Sequence, residues 1–204
     1  MRILPCVLAI SSALSLPSWA IDIGGAPIVV GDGASAMELT AARELQRYGR
    51  LLCGRQARIV RPDEAPARDV GVLVGTPRSL PAVSGAVPAD LHDQGYVLAV
   101  RTGPARLVVA SRTPIGVQNG VYSLLEMLGV GFYLGGDALP EMRDQLEVSD
   151  TLNVRAEPSF PIRGSLPWYN FLNSPTTWDL EDHRAFFDQM AKMKMNFVGF
   201  HDYD

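Results

Sequence analysis

The run Val-Gly-Val-Leu-Val-Gly at residues 70–75 constrains this chain more than any other stretch. It is rich in β-branched residues and wholly apolar. Because side chains alternate across a strand, both of its faces are apolar. Such a run reads as a central strand, buried inside a sheet rather than lying at its edge. Amphipathic helices flank it in sequence. Ser35-Ala36-Met37-Glu38 fits a capping box, with Ser35 accepting from the Glu38 amide while Glu38 reaches back. The helix that follows carries Met37, Leu39, Ala42, Leu45, Tyr48, Leu51 and Leu52 at near-helical spacing, and Gly54 stops it. A second helix over PIGVQNGVYSLLEMLG turns Val117, Val121, Leu124, Leu125 and Leu128 inward and ends at Gly129.

Further strands are expected at APIVV (26–30), ARIV (57–60) and VGFYLGG (130–136). GYVLAVRTGPARLVVAS reads as a β-hairpin turning at Thr102-Gly103-Pro104-Ala105. Residues 76–94 read as a Pro- and Gly-rich loop holding a short helix. Strands and helices mix over residues 24–150, so the fold class is α/β (α+β). Hydrophobic content of 47% with 20% charged residues suits a globular core. A net charge of -4 without a Lys/Arg cluster argues against a nucleic-acid partner.

The first 20 residues read as an export signal: Arg2, the apolar ILPCVLAISSALSL, then Ser18-Trp19-Ala20 as a small-x-small cleavage site. The expected location is therefore periplasmic or extracellular. After cleavage Cys53 is the one remaining cysteine, so no intrachain disulfide can form and Cys53 reads as a buried thiol. The expected domains are 21–150, an α/β accessory domain, and 151–204, which opens on a Pro-rich linker with short extended pieces. Asp179 then caps a helix to about Lys194, with Leu180, Phe186, Phe187, Met190 and Met193 along one side and Lys192 and Lys194 at its C-terminal end. A strand, NFVGF, follows and delivers His201, Asp202, Tyr203 and Asp204.

GDGASA (31–36) has the spacing of a dinucleotide-binding fingerprint between a strand and a helix. A tight turn with a helix cap explains it better: Ser35 and Glu38 use the same helix terminus, and ARIV ends on Arg61 where an acidic residue is required. The histidines, His92, His183 and His201, form no HExxH pattern, and there is no cysteine pair, so neither metal nor cofactor is expected. The nucleophile elbow G-x-S-x-G is absent. Trp168, Tyr169, Asn170, Phe171 and Trp178 form an aromatic-rich loop that either covers a core or makes a wall for stacking sugars.

AARELQRYGRLLCG, VLVGTP, GVQNGVYSLLEMLGVGFYLGGDALP, PSFPIRG and FFDQMAKMKMNFVGFHDYD occur in an order that resembles the N-terminal region of family 20 β-hexosaminidases and family 67 α-glucuronidases. The resemblance covers nearly the whole chain after the leader. It implies a zincin-like N-terminal sheet-and-helix domain without zinc chemistry, followed by the first helix and strand of a truncated TIM barrel. Arg163 matches the arginine of the F-P-x-R-G segment, which contacts the sugar in family 20. His201 and Asp204 match the polar end of the first barrel strand. The chain departs from family 20 after Arg163-Gly164: SLPWYNFLNSPTTWD replaces D-x-S-R, so a uronic-acid-containing or other glycan is as fitting as a hexosamine-containing one.

Candidate substrate-binding residues are therefore Arg163, Trp168, Asn170, His201, Asp202 and Asp204. No catalytic residue is assigned, because glycosidases work with carboxylates on either side of the scissile bond and these come from later barrel strands. A barrel needs eight β/α units and about 250 residues. The expectation is an exported fragment of a glycoside hydrolase, inactive alone. The alternative is a secreted, non-catalytic carbohydrate-binding or scaffold domain.

Overall fold

The computed structural model describes residues 20–65, 70–101, 106–167 and 175–199. The first half runs β1 (Ala20–Asp22), β2 (Ile28–Val29), α1 (Ala36–Cys53), β3 (Ile59–Val60), β4 (Gly71–Gly75), β5 (Tyr96–Arg101) and β6 (Arg106–Ala110). It continues with α2 (Pro114–Met127), β7 (Gly131–Tyr133), β8 (Gly136–Ala138), β9 (Glu147–Ser149) and β10 (Asn153–Ala156). The chain closes with β11 (Gly164–Ser165), α3 (Leu180–Lys192) and β12 (Phe197–Val198).

Six strands form the main sheet in the order β10-β5-β6-β4-β2-β3. β4 lies inside it, parallel to β6 on one side and β2 on the other, as its wholly apolar sequence requires. The hairpin pairs β5 and β6 antiparallel, Leu98 opposite Val109. Alternation along the strands sorts the core. Val72, Val74, Leu98, Leu107 and Val109 pack with Ala42, Leu45 and Leu52 of α1 and Val117, Val121 and Leu125 of α2. Both helices therefore cover the same face. The opposite face, with Val29, Val60, Val108 and Ala110, is covered by Leu80 and Val83 around a 3-10 turn at Pro81–Ala86. That turn is the short helix expected within 76–94.

Local chemistry sets the helix ends. Ser35 and Glu38 form both halves of the capping box, and Gly54 closes α1 in the left-handed region at φ 71°. Thr113 caps α2. Gly129, at φ 101°, stops it while its amide donates to Glu126 O. Cys53 is buried, its thiol directed at Gly49 O at 3.1 Å.

The main sheet runs past residue 150, because β10 pairs antiparallel with β5, Val154 opposite Leu98. One of the short extended pieces expected in the linker thus supplies an edge strand. The last segment also holds two strands rather than one. β11 and β12 pair in parallel, Gly164 with Phe197 and Ser165 with Val198, and α3 is the crossover between them. α3 ends at Lys192, two residues earlier than its spacing suggests, because Lys194 turns left-handed at φ 60°. Of the expected apolar side, Met190 is buried and Met193 packs partly on the main core. Leu180 is 62% and Phe187 39% exposed.

Candidate functional site

Arg163 sits immediately before β11, and its side chain turns toward the end of α3. Nε and Nη2 donate to Lys194 O at 3.0 and 2.7 Å, and Nη1 donates to Phe160 O at 2.7 Å. Its backbone joins the same knot. Arg163 N donates to Asn196 Oδ1 at 2.9 Å, and Asn196 N donates back to Arg163 O at 2.8 Å. Of the five guanidinium N–H groups, three are thus directed at main-chain carbonyls. Trp168, Asn170, His201, Asp202 and Asp204, the other candidate sugar contacts, lie outside the described residues.

A second polar centre was not legible in the sequence. Asp137 on β8 accepts from Lys192 Nζ at 3.2 and 3.1 Å, from Gln189 Nε2 at 3.1 Å, and from the Tyr48 hydroxyl. Burial pushes the Asp137 carboxyl up, but the hydrogen bonds from Tyr48, Lys192 and Gln189 outweigh it and hold the group below its ordinary value. Burial, and then the bond to Asp137, drive the Tyr48 phenol far in the other direction, so it stays protonated. Lys192, expected simply to favour the helix dipole, is 9% exposed and paired. No local pattern signals this, since Asp137 and Lys192 are 55 residues apart.

Trp178 lies against α3, its ring 5.4 Å from His183 and 5.1 Å from Phe186. With Leu134, Gly136 and Gln189, Trp178 and Phe186 line an open cleft of about 370 Å³. A larger, more polar cleft of about 490 Å³ separates the three helices and is lined by Glu44, Arg47, Gln118, Tyr122, Asp188 and Lys192. Both volumes fall in the range of small-molecule sites.

The GDGASA turn is closed. A side chain at Gly31 overlaps the Ser79 carbonyl, and the α1 terminus is occupied by Ser35 and Glu38. Glu38 is 2% exposed and also accepts from Thr76 N at 3.0 Å and from Ser79 Oγ. This fills the space a pyrophosphate needs. Among the described residues no group of three His, Cys, Asp or Glu side chains could hold a metal ion, and no helix is long and apolar enough to cross a membrane.

No family model and no curated protein matches this chain. Solved structures do. A family 115 4-O-methyl-α-glucuronidase with specificity for decorated arabinogalactans is similar over 89% of this chain and 26% of its own, at a TM-score of 0.65 and 19% identity. The Streptomyces plicatus N-acetyl-β-hexosaminidase is similar over 90% of this chain and 31% of its own, at 0.56 and 18%. The Flavobacterium johnsoniae chitobiase, a family 20 protein, matches over 90% and 24%, at 0.56 and 15%. This chain thus spans less than a third of each of these proteins. Its fold is the one that glycoside hydrolases of families 20 and 115 share over that part of their length.

Proposed function

We propose that this chain is the amino-terminal part of an exported glycoside hydrolase acting on a uronic-acid- or hexosamine-containing glycan. Residues 20–156 would be its zincin-like accessory layer, and β11–α3–β12 the opening β/α units of a TIM barrel. The observation that carries this reading is the order of units. A mixed sheet with two helices on one face is followed at once by a parallel β-α-β step, and the likeness to the solved glycosidases runs through both, over about nine-tenths of the chain.

In a barrel, active sites form at the C-terminal ends of the strands. Arg163 flanks β11 at its start, while β12 leads into His201, Asp202 and Asp204. His201, Asp202 and Asp204 would touch the sugar, with Trp168 and Asn170 beside them, while Arg163, at the opposite end of the parallel pair, would hold the turn before β12. The acid and its partner carboxylate would come from later strands, so the 204-residue chain alone would not turn over a glycoside.

The test is a paired assay: the 204-residue chain, and the same chain extended by its downstream reading frame, against aryl uronides and aryl N-acetylhexosaminides. The expected result is hydrolysis by the extended protein only. Turnover by the short chain, or a downstream frame with no barrel strands, overturns the reading. Glycan binding without any turnover in either protein favours the scaffold alternative.

A further inference from the structure

Beside Arg163 and β11, the contacts that hold the end of α3 and β12 come from separate places in the N-terminal layer. Asp137 on β8 takes Lys192 and Gln189. Glu126, in α2, pairs with Lys194. Gln94 Oε1, just before β5, accepts from Asn196 Nδ2 at 3.0 Å. All of these partners fall within residues 189–196, the last turn of α3 and the turn joining it to β12. The start of α3 is left to solvent, with Leu180 and Glu181 both exposed.

We propose that Asp137 is the positioning residue through which the N-terminal layer fixes the α3–β12 turn, so that this layer serves as the template holding the β11–α3–β12 unit in place. The carboxylate is itself oriented from within the core. Tyr48, which donates to it, is fully buried and meets Phe132 edge-on at 5.4 Å. Asp137 therefore presents a fixed acceptor to α3 rather than a mobile surface charge. On the other side, the Lys192 side chain is 11% exposed and that of Asp137 17%, so the Lys192 charge depends on Asp137, while Asp137 also has Arg47 at 3.9 Å. The apolar hold on α3 is thin, resting on Met190 and Met193. The polar clasp accordingly joins the Arg163 hydrogen bonds in setting where the turn sits.

This inference concerns order, not hydrolysis, and is tested without a substrate. Residue-resolved amide hydrogen exchange is compared for the intact 204-residue chain, Asp137→Asn, Lys192→Met and the double variant. Each single variant is expected to lose about 10- to 100-fold protection at amides 195–199, the scale of a charge-assisted hydrogen bond, while β4 and β6 keep theirs. The double variant should lose no more than the worse single one. Lys192→Met leaves the Tyr48–Asp137 bond in place, so it stays informative if Asp137→Asn disturbs the core. Unchanged protection at 195–199, equal loss throughout the main sheet, or additive losses would each overturn the proposal. A failure here leaves the glycosidase reading standing, and a failure of that reading leaves this one standing.

Discussion

Arg163 grips a single acceptor twice: Nε and Nη2 both donate to the carbonyl oxygen of Lys194, at 3.0 and 2.7 Å. Lys194 has a φ of 60°, in the left-handed region that residues other than glycine, asparagine and aspartate rarely enter. The strain and the grip belong together. The left-handed turn ends α3, and the guanidinium holds the carbonyl that the turn exposes. A backbone strained by roughly 1–3 kcal/mol persists when its surroundings fix it this firmly.

Substitution at Lys194 should separate backbone from charge. Asparagine tolerates the left-handed region and valine does not, while neither can replace the ammonium that pairs with Glu126. Lys194→Val is expected to be less stable than Lys194→Asn by about 1–2 kcal/mol in urea unfolding. Equal stabilities would mean that the turn is not under backbone constraint.

Arg163→Lys should not rescue Arg163→Ala. A lysine brings one ammonium on a flexible stem, whereas the observed pattern needs a planar fork reaching Phe160 O and Lys194 O together. Both variants are expected to weaken the β11–β12 pair by about 2–3 kcal/mol, read as lost protection at Gly199 N, which donates to Ser165 O. Full protection in Arg163→Lys would show that charge alone suffices and would weaken the case for a structural latch.

How far these features could be read in the sequence follows from their range. Ser35, Glu38 and Gly54 act within one helical turn, so their cap chemistry is visible locally, and the apolar run of β4 announces its own burial. β10 and β11 are announced only as short extended pieces, not as members of a sheet. Asn-Val-Arg-Ala offers a single β-branched residue, and Gly-Ser offers none, so both are strands only because β5 and β12 pair with them. Helical spacing put Leu180 and Phe187 on the face of Met190, but spacing cannot say which neighbours are present to cover them. The F-P-x-R-G match marks Arg163 as a sugar contact, and its hydrogen bonds here run to carbonyls of residues 160 and 194. Asp137 was invisible, because its partners come from α1 and α3, far along the chain on either side.

The two glycines of GDGASA should behave oppositely. A methyl group at Gly31 overlaps the backbone carbonyl of Ser79, whereas nothing lies within 4 Å of one at Gly33. Gly31→Ala is expected to cost about 3 kcal/mol or more, since main chain must move, and Gly33→Ala less than about 0.5 kcal/mol. Thermal unfolding of the two variants checks this. Similar midpoints would mean that the turn is open after all and would revive a phosphate-binding reading of it.

Glu38 predicts a specific acid response. Burial raises its carboxyl, but the hydrogen bonds from Ser79, Ser35 and Thr76 more than compensate, holding it below its ordinary value of 4.5. A depressed carboxylate binds fewer protons in the folded chain than in the unfolded one, so stability rises with pH across that window. The contribution is complete above pH 4.5 and is lost as pH falls through the folded value. Glu38→Gln keeps the shape but not the charge, and should be less stable than the parent by about 1.5–3 kcal/mol at pH 7. The gap should narrow steadily below pH 4.5. Asp22 and Asp137, also depressed, titrate alike in both proteins and cancel in the difference. Urea unfolding of the pair at several pH values reads that gap directly. A difference that stays constant from pH 7 to pH 3 would show that the charge on Glu38 does not hold the α1 terminus to the Thr76–Ser79 loop.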